Sequence, residues 1–487
     1  MGVGQLRTTR QPLKSKRPKA VRPSGSLRAW RADTGKDTDR KAREARDGGE
    51  PAGLAARRLA VELIEAVLVS SRALDDALDA ADREGSFNQL EGRDRGFARL
   101  IAATVLRRLG SLDAVLSRFL ERPIPATQPR PRSILLAGAA QILFIGTPVH
   151  AAINLAVEQC RRDSKAERFD KLTNAVLRRV GNQGAAILGE LDTPRIDIPD
   201  WLWSKWVTAY GEPVARRIGT ASLTEAPLDL TVKDAPETWA ERLGGALLPS
   251  GTIRLTNAGR VDELPGFAEG AWWVQDVAAA LPARLLGPVA GLDVADLCAA
   301  PGGKTAELAV AGARVLAVDQ SEERLVRLRQ NIDRLGLAER VRVQASDLLT
   351  YEPEERFDAV LLDAPCLATG TIRRHPDLLH LKRPSDLARI VELQGKLLSR
   401  AAEWVKPGGC LVYCVCSLEP EEGDQVVDAF LDGNGAFARK RISPADVRGS
   451  VDWMTRAGDL RTLPFHDAGE ESPGMDGFYA ARLVRKG

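Results

Sequence analysis

Thiols and a carboxylate stand at the ends of two candidate strands in the C-terminal half of the chain. Asp363-Ala-Pro-Cys366 follows one apolar run, and Cys414 and Cys416 close another. A thiolate is a strong nucleophile, and a carboxylate three residues from a thiol can serve as its acid partner, so this group suits covalent catalysis. Both Cys366 and Cys416 could attack a substrate, and the residues alone do not decide between them.

Zinc binding is the competing interpretation of these cysteines. The chain has six cysteines at irregular spacing, namely Cys160, Cys298, Cys366, Cys410, Cys414 and Cys416. The last three form no Cys-x-x-Cys pair and have no His within a few residues, so we expect no metal. Irregular spacing also argues against a disulfide framework and favours a reducing cytosol. We interpret Cys410 and Cys414 as buried strand residues.

A glycine-rich turn follows another candidate strand and leads into a helix, in Asp296-Leu-Cys-Ala-Ala-Pro-Gly-Gly-Lys-Thr305. Gly302 and Gly303 allow the backbone to pass close to a ligand, because no Cβ stands in the way. A P-loop would need glycine where Cys298 stands, and the three spaced glycines of a dinucleotide site are missing. The turn therefore favours a nucleoside-type cofactor that carries no pyrophosphate.

Two further carboxylates follow the next candidate strands. Asp319 could accept hydrogen bonds from two ribose hydroxyls, and Asp347, preceded by Ser346, could address an adenine amino group. Each of them could equally be a cap for the turn or helix that follows. Because three such sites end three successive strands, the pattern favours adenosyl binding.

The elements that must position these residues alternate between strand and helix from about Trp272 onwards. The predicted strands are 292–297, 314–318, 341–344, 359–362 and 410–415, and the predicted helices between them include 304–310, 322–335 and 387–405. Such alternation predicts a mostly parallel sheet with helices on both faces. Ligands of such sheets bind beyond the carboxyl ends of the strands, where the chemically interesting residues fall.

The first half of the chain has a different pattern. From Pro51 to Gly181 apolar residues recur at four-residue spacing, as in Leu59, Leu63 and Val67, which predicts an all-α bundle. Residues 182–198 contain Gly, Pro and Asp and are interpreted as a linker. The segment that follows, to about residue 270, predicts a small α+β module with a helix near 201–218 and a strand at 228–232.

Charge is unevenly distributed along the chain. The composition is 44% hydrophobic and 28% charged with a net charge of +3, which is typical of a soluble globular protein. Residues 1–32 hold nine Lys or Arg and no Asp or Glu, so the remainder carries −6. A basic tail of this kind suits a polyanion partner or a solubilising disordered end. The uncharged run 133–157 is interrupted by polar residues, so we expect no membrane span.

The helical half resembles the NusB family of RNA-binding domains. The shared stretches are Gly138-Ala-Ala-Gln-Ile-Leu143, Pro148-Val-His-Ala-Ala-Ile153 and Lys171-Leu-Thr-Asn-Ala-Val-Leu-Arg-Arg179. The resemblance implies contact with RNA or a ribonucleoprotein. Taken singly, Asn174, Arg178 and Arg179 could also be an ordinary polar helix face.

The C-terminal half resembles the Sun-type (RsmB) family of RNA cytosine-5 methyltransferases. The shared stretches are Val274-Gln-Asp276, Cys298-Ala-Ala-Pro-Gly-Gly-Lys304, Asp363-Ala-Pro-Cys366, Thr369-Gly370, Arg373-Arg-His-Pro-Asp377, Cys416-Ser417, Pro420-Glu-Glu422 and Asp476-Gly-Phe478. A NusB-like domain followed by a methyltransferase domain is characteristic of the bacterial 16S rRNA member. Three positions depart from the family: Leu367 replaces the usual Ser, Val415 a common Thr, and Gly423 an Asn. They bear on the polar lining of the base pocket.

This resemblance implies transfer of a methyl group from S-adenosylmethionine to C5 of a cytidine in 16S rRNA. It assigns the attack on C6 to Cys416, assistance in product release to Cys366, and a position between cofactor and base to Asp363. Arg373, Arg374 and His375 are expected on a polar loop that contacts RNA phosphates. The expected cofactor-binding residues are Cys298, Ala299, Ala300, Pro301, Gly302, Gly303, Lys304, Asp319, Arg324, Asp347 and Asp363.

We therefore predict a cytoplasmic, monomeric, multidomain protein without a metal or a membrane segment. Its predicted parts are a disordered basic tail (1–50), an all-α NusB-like RNA-binding helical bundle (51–185), a small α+β RNA-binding module (190–270) and a Rossmann-like α/β S-adenosylmethionine-dependent methyltransferase domain (271–487). The expected partner is 16S rRNA, naked or in an assembling small subunit.

Two other functions stay open at this stage. A DNA cytosine-5 methyltransferase is one, because Pro365-Cys366 resembles the nucleophile motif of those enzymes. A noncatalytic NusB-like RNA-binding factor with an inactive methyltransferase fold is the other. The second cysteine and the NusB-like domain favour RNA as the substrate, and the intact cysteines and carboxylates favour catalysis.

Overall fold

A computed structural model describes residues 50–487 of the chain, except 84, 86–89, 126, 257 and 470–473. The basic segment of residues 1–32 lies outside the described residues, so its predicted role stays a prediction. Across the described part of the chain, no helix is both long enough and apolar enough to span a membrane.

The N-terminal part of the described chain is a helical bundle. Its helices are α1 (Leu54–Leu68), α2 (Leu74–Arg83), α3 (Gly92–Arg107), α4 (Leu109–Ser117), α5 (Pro129–Ala140), α6 (Val149–Arg161) and α7 (Asp170–Glu190). Leu59, Leu63 and Val67 are all buried on one face of α1, as their four-residue spacing predicted. The predicted all-α bundle is thus confirmed.

The predicted linker over 182–198 is wrong, because α7 continues to Glu190 and is followed by the short helix α8 (Thr193–Ile196). Gly184, one of the residues that suggested a linker, lies in α7 where it faces Leu143. A Cβ on Gly184 would stand 2.9 Å from the Leu143 side chain. The glycine therefore permits a close helix contact and does not end the helix.

A helical hairpin and a small sheet follow. The hairpin is α9 (Asp200–Tyr210) and α10 (Glu212–Ser222), and the sheet region holds β1 (Leu228–Val232), α11 (Pro236–Leu243), β2 (Ala246–Leu247), β3 (Ile253–Leu255) and β4 (Trp272–Val274). The single helix predicted near 201–218 is two helices, because Gly211 at φ 79° and Pro213 interrupt it. The strands pair antiparallel in the order β2-β3-β1-β4.

A large sheet forms the C-terminal part. Its elements are α12 (Leu281–Arg284), β5 (Asp293–Leu297), α13 (Gly303–Val310), β6 (Arg314–Asp319), α14 (Glu322–Arg334), β7 (Val341–Ala345), β8 (Phe357–Asp363), α15 (Leu378–Leu381), α16 (Pro384–Glu403), β9 (Val405–Val415), α17 (Asp424–Gly433), β10 (Phe437–Arg439), α18 (Pro444–Val447), β11 (Leu460–Thr462) and β12 (Phe478–Arg485). The strand order is β10-β12-β9-β8-β5-β6-β7, and β11 pairs with β12.

The five predicted strands correspond to β5 to β9, and these five pair in parallel, which confirms the Rossmann-like α/β fold. The antiparallel strands β10, β11 and β12 were not predicted. The chain leaves β5 toward β6 and β7 and then returns to the other side of β5 as β8. Ligands of doubly wound sheets bind at such a reversal, beyond the carboxyl ends of the strands.

The helical bundle joins the large sheet through the segment that contains α15. The backbone N–H of Leu74 donates to Oδ2 of Asp377 at 3.1 Å, and a guanidinium nitrogen of Arg107 donates to the Arg373 carbonyl at 2.9 Å. Nε2 of His380 lies 2.7 Å from the carbonyl of Leu106. These contacts connect the bundle directly to the loop that follows Cys366.

Candidate active site

Two cysteines meet where β8 and β9 end. The strands are parallel neighbours with Asp363 opposite Cys414, so the segments that leave them run side by side. The N–H of Gly370 donates to the carbonyl of Cys416 at 3.0 Å and keeps the two segments together. The Sγ atoms of Cys366 and Cys416 lie 3.5 Å apart, and both residues are half-buried. The predicted pair of thiols is therefore brought into direct contact.

The cysteines in and beside this pair have different surroundings. The contact with Cys416, burial and nearby carboxylates raise the pKa of Cys366 well above its usual value. Cys366 therefore remains a thiol at neutral pH and can donate a hydrogen bond to the Cys416 sulfur. Cys414 is buried in β9, as predicted, 3.6 Å from Oδ1 of Asp363, and burial raises its pKa strongly. Cys410 is only half-buried.

Asp363, at the end of β8, forms an ion pair with Lys304. Nζ of Lys304 donates to Oδ2 of Asp363 at 2.9 Å and lies 4.9 Å from the ring centre of Phe478. Burial alone would lower the pKa of Lys304, but Asp363 and other acidic neighbours raise it overall, so the ammonium stays charged. The lysine of the glycine-rich turn thus neutralises the carboxylate beside the thiols.

The glycine-rich turn is held by residues from the next strand and helix. Oδ2 of Asp319 accepts the N–H of Ala300 at 3.1 Å, and the guanidinium of Arg324 donates to the Ala300 carbonyl. Gly302 has φ 101°, and a Cβ on it would stand 2.9 Å from the side chain of Leu328. Only glycine suits this position, because both the backbone angle and the space exclude a side chain.

The two candidate cofactor carboxylates differ in exposure. Asp319 is buried and also accepts the N–H of Ser321 at 3.0 Å. Asp347 is exposed beyond the end of β7, and its Oδ1 accepts the N–H of Leu349 at 2.9 Å. Both residues therefore make the capping contacts that the sequence allowed. A carboxylate has about four acceptor positions, so each keeps capacity for a ligand hydroxyl or amine.

One acidic residue of this region was missed in the sequence analysis. Asp296 is fully buried in β5, and burial raises its pKa to about 7. Its Oδ2 accepts the hydroxyl of Thr305 at 2.5 Å, whereas Oδ1 has no hydrogen-bond partner. The signal that could have revealed it is a carboxylate inside an otherwise apolar strand, since a buried acid needs a compensating partner.

Comparison with known proteins agrees with this architecture. Residues 54–182 match the family model of the NusB family, and residues 283–484 match that of the 16S rRNA methyltransferase RsmB/F. Ribosomal RNA small subunit methyltransferase B of Shewanella oneidensis is 33% identical over 441 residues, which cover 88% of this chain and 99% of that protein. The chain belongs to the ribosomal RNA small subunit methyltransferase B family.

Further comparisons cover both halves of the chain. The Vibrio cholerae protein of the same name is 34% identical over 447 residues, which cover 88% of this chain and 97% of that protein. The crystal structure of PH0851 has a TM-score of 0.66 at 22% identity and covers 89% of this chain and 99% of that one. The family resemblance stated from the motifs is confirmed, and the structural likeness supports the fold.

The predicted contact of Arg373 and Arg374 with RNA phosphates in this methyltransferase is wrong. Arg374 donates to Oδ2 of Asp276 at 2.5 Å and to Oδ2 of Asp476 at 3.1 Å, and Arg373 is buried. His375 lies 3.4 Å from a carboxylate oxygen of Asp75 in α2. Carboxylates that are remote in the sequence pair with Arg374 and His375, so the loop joins domains.

The three departures from the family pattern also have structural explanations. Leu367 and Val415 are buried, and the N–H of Leu367 donates to Oε2 of Glu422 at 2.9 Å. A Cβ on Gly423 would stand 2.5 Å from the guanidinium of Arg461 and 3.0 Å from the ring of Tyr479. These three positions pack against the protein interior.

No cluster of three or more His, Cys, Asp or Glu side chains that could hold a metal ion occurs among the residues that the structure describes. The cysteines at the ends of β8 and β9 instead have Asp363 and Lys304 as their charged neighbours. Thiols, a carboxylate and an ammonium group thus lie together at the ends of these two strands.

Proposed function

We propose that the protein forms 5-methylcytosine at a specific cytidine of 16S rRNA, with S-adenosylmethionine as methyl donor, through a covalent bond between Cys416 and C6 of the base. The observation that carries this proposal is the 3.5 Å contact between Cys366 and Cys416, beside Asp363, in a chain of this methyltransferase family. Two thiols on adjacent strand ends suit a reaction that must both form and break a covalent adduct.

The crevice fits a positively charged adenosyl cofactor. S-adenosylmethionine supplies an electrophilic methyl group on a sulfonium, and it also carries an ammonium group. The buried, unpartnered Oδ1 of Asp296 suits such a cationic group. Asp319 and Asp347 suit the ribose and adenine. Residues 298–304 would border the methionine part, and the contacts of Arg324 indicate that it holds this turn.

Cys416 performs the first step in this scheme. Cytosine C5 is a poor nucleophile, and addition of the Cys416 thiolate to C6 converts the ring to an enamine whose C5 can take up the methyl group. Asp363 would hydrogen-bond to N3 or the exocyclic amine of the base, with Lys304 balancing its charge. Methyl transfer leaves S-adenosylhomocysteine. A water molecule then takes the C5 proton, the electron pair of that C–H bond restores the C5–C6 double bond and the Cys416 thiolate is expelled, with Cys366 assisting at this release.

RNA is the substrate that the rest of the chain supports. The helical bundle matches the NusB family, and the named relatives are ribosomal RNA methyltransferases. Lys171, Arg178 and Arg179 are exposed on α7 and are available to phosphates. A cytidine that lies within RNA structure must be turned out of its stack before C6 can reach a thiol.

Tritiated S-adenosylmethionine tests this function directly. The protein is incubated with naked 16S rRNA, with small ribosomal subunits and with DNA, and labelled nucleosides are separated after digestion. We expect label in 5-methylcytidine from 16S rRNA or the particle, and none with the Cys416→Ala variant. Label in DNA would support a DNA methyltransferase, and label in no nucleic acid would support a noncatalytic RNA-binding factor.

A further inference from the structure

A buried network of polar side chains lies directly behind the two cysteines. Its members come from the loop after β8, the loop after β9 and helix α16, and each is at most 1% exposed: Thr369, Gln394, Ser417, Glu419 and Glu422. Burying two glutamates is costly unless every polar atom has a partner. Counting the donors and acceptors in this network therefore indicates which of the two glutamates holds a proton.

Glu422 connects the segments that carry the two thiols. Its Oε2 accepts the N–H of Leu367, the residue after Cys366, at 2.9 Å. Its Oε1 lies 2.5 Å from Oγ of Ser417, the residue after Cys416. Gln394 of α16 donates to Oε2 of Glu422 at 2.9 Å and to the carbonyl of Pro365 at 2.8 Å. One carboxyl group thus joins both segments to the helix.

The hydroxyl of Ser417 lies within hydrogen-bond distance of two carboxyl oxygens but has only one proton to donate. Its Oγ lies 2.6 Å from Oε2 of Glu419 and 2.5 Å from Oε1 of Glu422. A serine hydroxyl carries a single proton, so it donates to only one of these two oxygens. The other contact is a hydrogen bond only if the glutamate itself brings a proton.

Glu419 accepts hydrogen bonds at both of its carboxyl oxygens. Its Oε2 accepts the hydroxyl of Thr369, whose own Oγ1 accepts the N–H of Leu418 at 2.9 Å. Its Oε1 accepts Nε1–H of Trp206, in α9, at 3.2 Å. With the hydroxyl of Ser417 as a third donor, both oxygens of Glu419 act as acceptors and neither needs a proton of its own. The proton in the remaining contact therefore belongs to Glu422.

The electrostatics agree with this proton count. The contacts of the Glu422 carboxyl group come from neutral donors, and the nearest acidic neighbours include Glu419 and Cys366. Tyr413 donates to the backbone carbonyl of Glu422, and Arg461 donates to the carbonyl of Ser417, so neither contact neutralises the side chain. Burial and the charge of Glu419 raise the pKa of Glu422 to about 7.

We propose that Glu422 is a positioning residue which, as a neutral carboxylic acid, ties the backbone behind Cys366 to the hydroxyl behind Cys416 and thereby holds the two thiols in contact. This inference rests on the proposed function, which assigns both thiols to the reaction. Glu422 does not touch the base or the methyl donor in this scheme. It acts through the two loops.

Three variants test whether Glu422 holds the two loops together as a neutral acid or as a charged carboxylate. In Glu422→Gln the amide NH₂ can donate to Ser417 and the amide oxygen can accept from Leu367 and Gln394. We expect its kcat to stay within about threefold of the wild type, because every hydrogen bond has a substitute. In Glu422→Ala we expect kcat to fall by about 10–100-fold, the loss that follows a displacement of reacting groups by about 1 Å.

Glu419→Gln is the matched control. Its amide cannot accept from Thr369, Ser417 and Trp206 together, because one of its two ends is a donor. We therefore expect kcat to fall in Glu419→Gln although the same change is tolerated at position 422. In all three variants the Kd for S-adenosylhomocysteine and the KM for RNA should stay within about twofold, because no proposed binding contact is removed.

The outcomes are distinct. A wild-type kcat in a folded Glu422→Ala variant, or a kcat in Glu422→Gln as low as in Glu422→Ala, would overturn the inference. If Glu422→Ala does not fold, Ser417→Ala removes the same link and should show the same loss of kcat. Absence of rRNA methylation by the wild type would instead count against the proposed function.

A thiol probe keeps the inference testable without turnover. Phenylarsine oxide loses its oxygen as water when two nearby thiols bridge its arsenic, and the adduct is read by intact mass. We expect the wild type and Glu422→Gln to bind it equally and Glu422→Ala to bind it more weakly. Cys366→Ala, which lacks one of the two sulfurs, is the negative control. Equal binding by all Glu422 variants would contradict the proposal.

Discussion

The sulfur atoms of Cys366 and Cys416 lie 3.5 Å apart although 50 positions separate the two residues in the chain. The contact arises because β8 and β9 are parallel neighbours with Asp363 paired opposite Cys414. The loops that follow the two strands therefore leave the sheet at the same edge. Under the proposed function the two thiols divide a covalent mechanism between them: Cys416 attacks the base, and Cys366 acts when the adduct is resolved.

The two cysteines should give opposite results when they are replaced. Cys416→Ala should abolish turnover without any covalent complex, because the bond to C6 cannot form. Cys366→Ala should still form that bond and then stall, leaving protein attached to RNA. A denaturing gel of each variant with substrate RNA and S-adenosylmethionine makes this visible. A slow band for Cys416→Ala and none for Cys366→Ala would reverse the assignment.

Asp319→Ala should weaken cofactor binding. The carboxylate holds the N–H of Ala300 in the glycine-rich turn and is the group proposed to accept the ribose hydroxyls. We expect a loss of roughly 1–3 kcal/mol in the binding of S-adenosylhomocysteine, measured by calorimetry, since the acceptor is charged. Asp333→Ala, an exposed carboxylate on α14, is the control and should bind normally. An unchanged affinity in Asp319→Ala would remove this residue from the site.

Arg374→Met should destabilise the fold and leave the salt dependence of RNA binding unchanged. Asp276 and Asp476 would lose their shared cation while buried, at a cost of about 3–5 kcal/mol. Thermal unfolding should show a clear drop in Tm. Arg389→Met replaces an arginine whose side chain is 83% exposed and should unfold like the wild type. A flatter salt slope in folded Arg374→Met would indicate a phosphate contact after all.

The protonation of Glu422 predicts a pH dependence of stability. Its pKa is raised from 4.5 to about 7, so the folded state holds a proton that the unfolded chain releases. This contribution is complete below the unfolded pKa and is lost as pH rises through the folded pKa, by up to about 1.4 kcal/mol per pH unit. Relative to Glu422→Gln, the Tm of the wild type should fall between about pH 5 and 7 and then level off.

The comparison with Glu422→Gln also cancels the contributions of other titrating groups to the difference in Tm. Asp296 and Asp476 have pKa values raised by burial to about 7, but they are present in both proteins. Their contributions cancel in the difference. If the two Tm curves stay parallel over this range, Glu422 is ionised in the folded protein throughout.

Local pattern predicted much of the fold. The four-residue spacing of apolar residues is enough to indicate the helices of the bundle, because one face of each must be buried. Alternation of apolar runs with helical stretches is enough to indicate β5 to β9. The strands β10, β11 and β12 were missed because they pair antiparallel at one edge, and two of them have only three residues.

Chemistry at the strand ends could also be predicted from the chain alone. Asp319, Asp363 and Cys416 each follow or end a strand of one parallel sheet, and the carboxyl ends of such strands meet at one edge. Their proximity therefore follows from topology that is visible in the sequence. The family resemblance rests on stretches that include Asp363 and Cys416, and it is supported by the matched relatives.

What only the tertiary structure decided is which distant groups become partners and which lose water. From the sequence, Arg374 is expected to contact a phosphate. In the fold it pairs with Asp276, which precedes it in the chain, and with Asp476, which follows it. The sequence gives no sign that Glu422 differs from other acidic residues. Its pKa is raised because the fold buries it and places Glu419 beside it. Sequence determines the kinds of groups and their local spacing. Pairing and desolvation depend on contacts between remote segments, so they exist only in the folded chain.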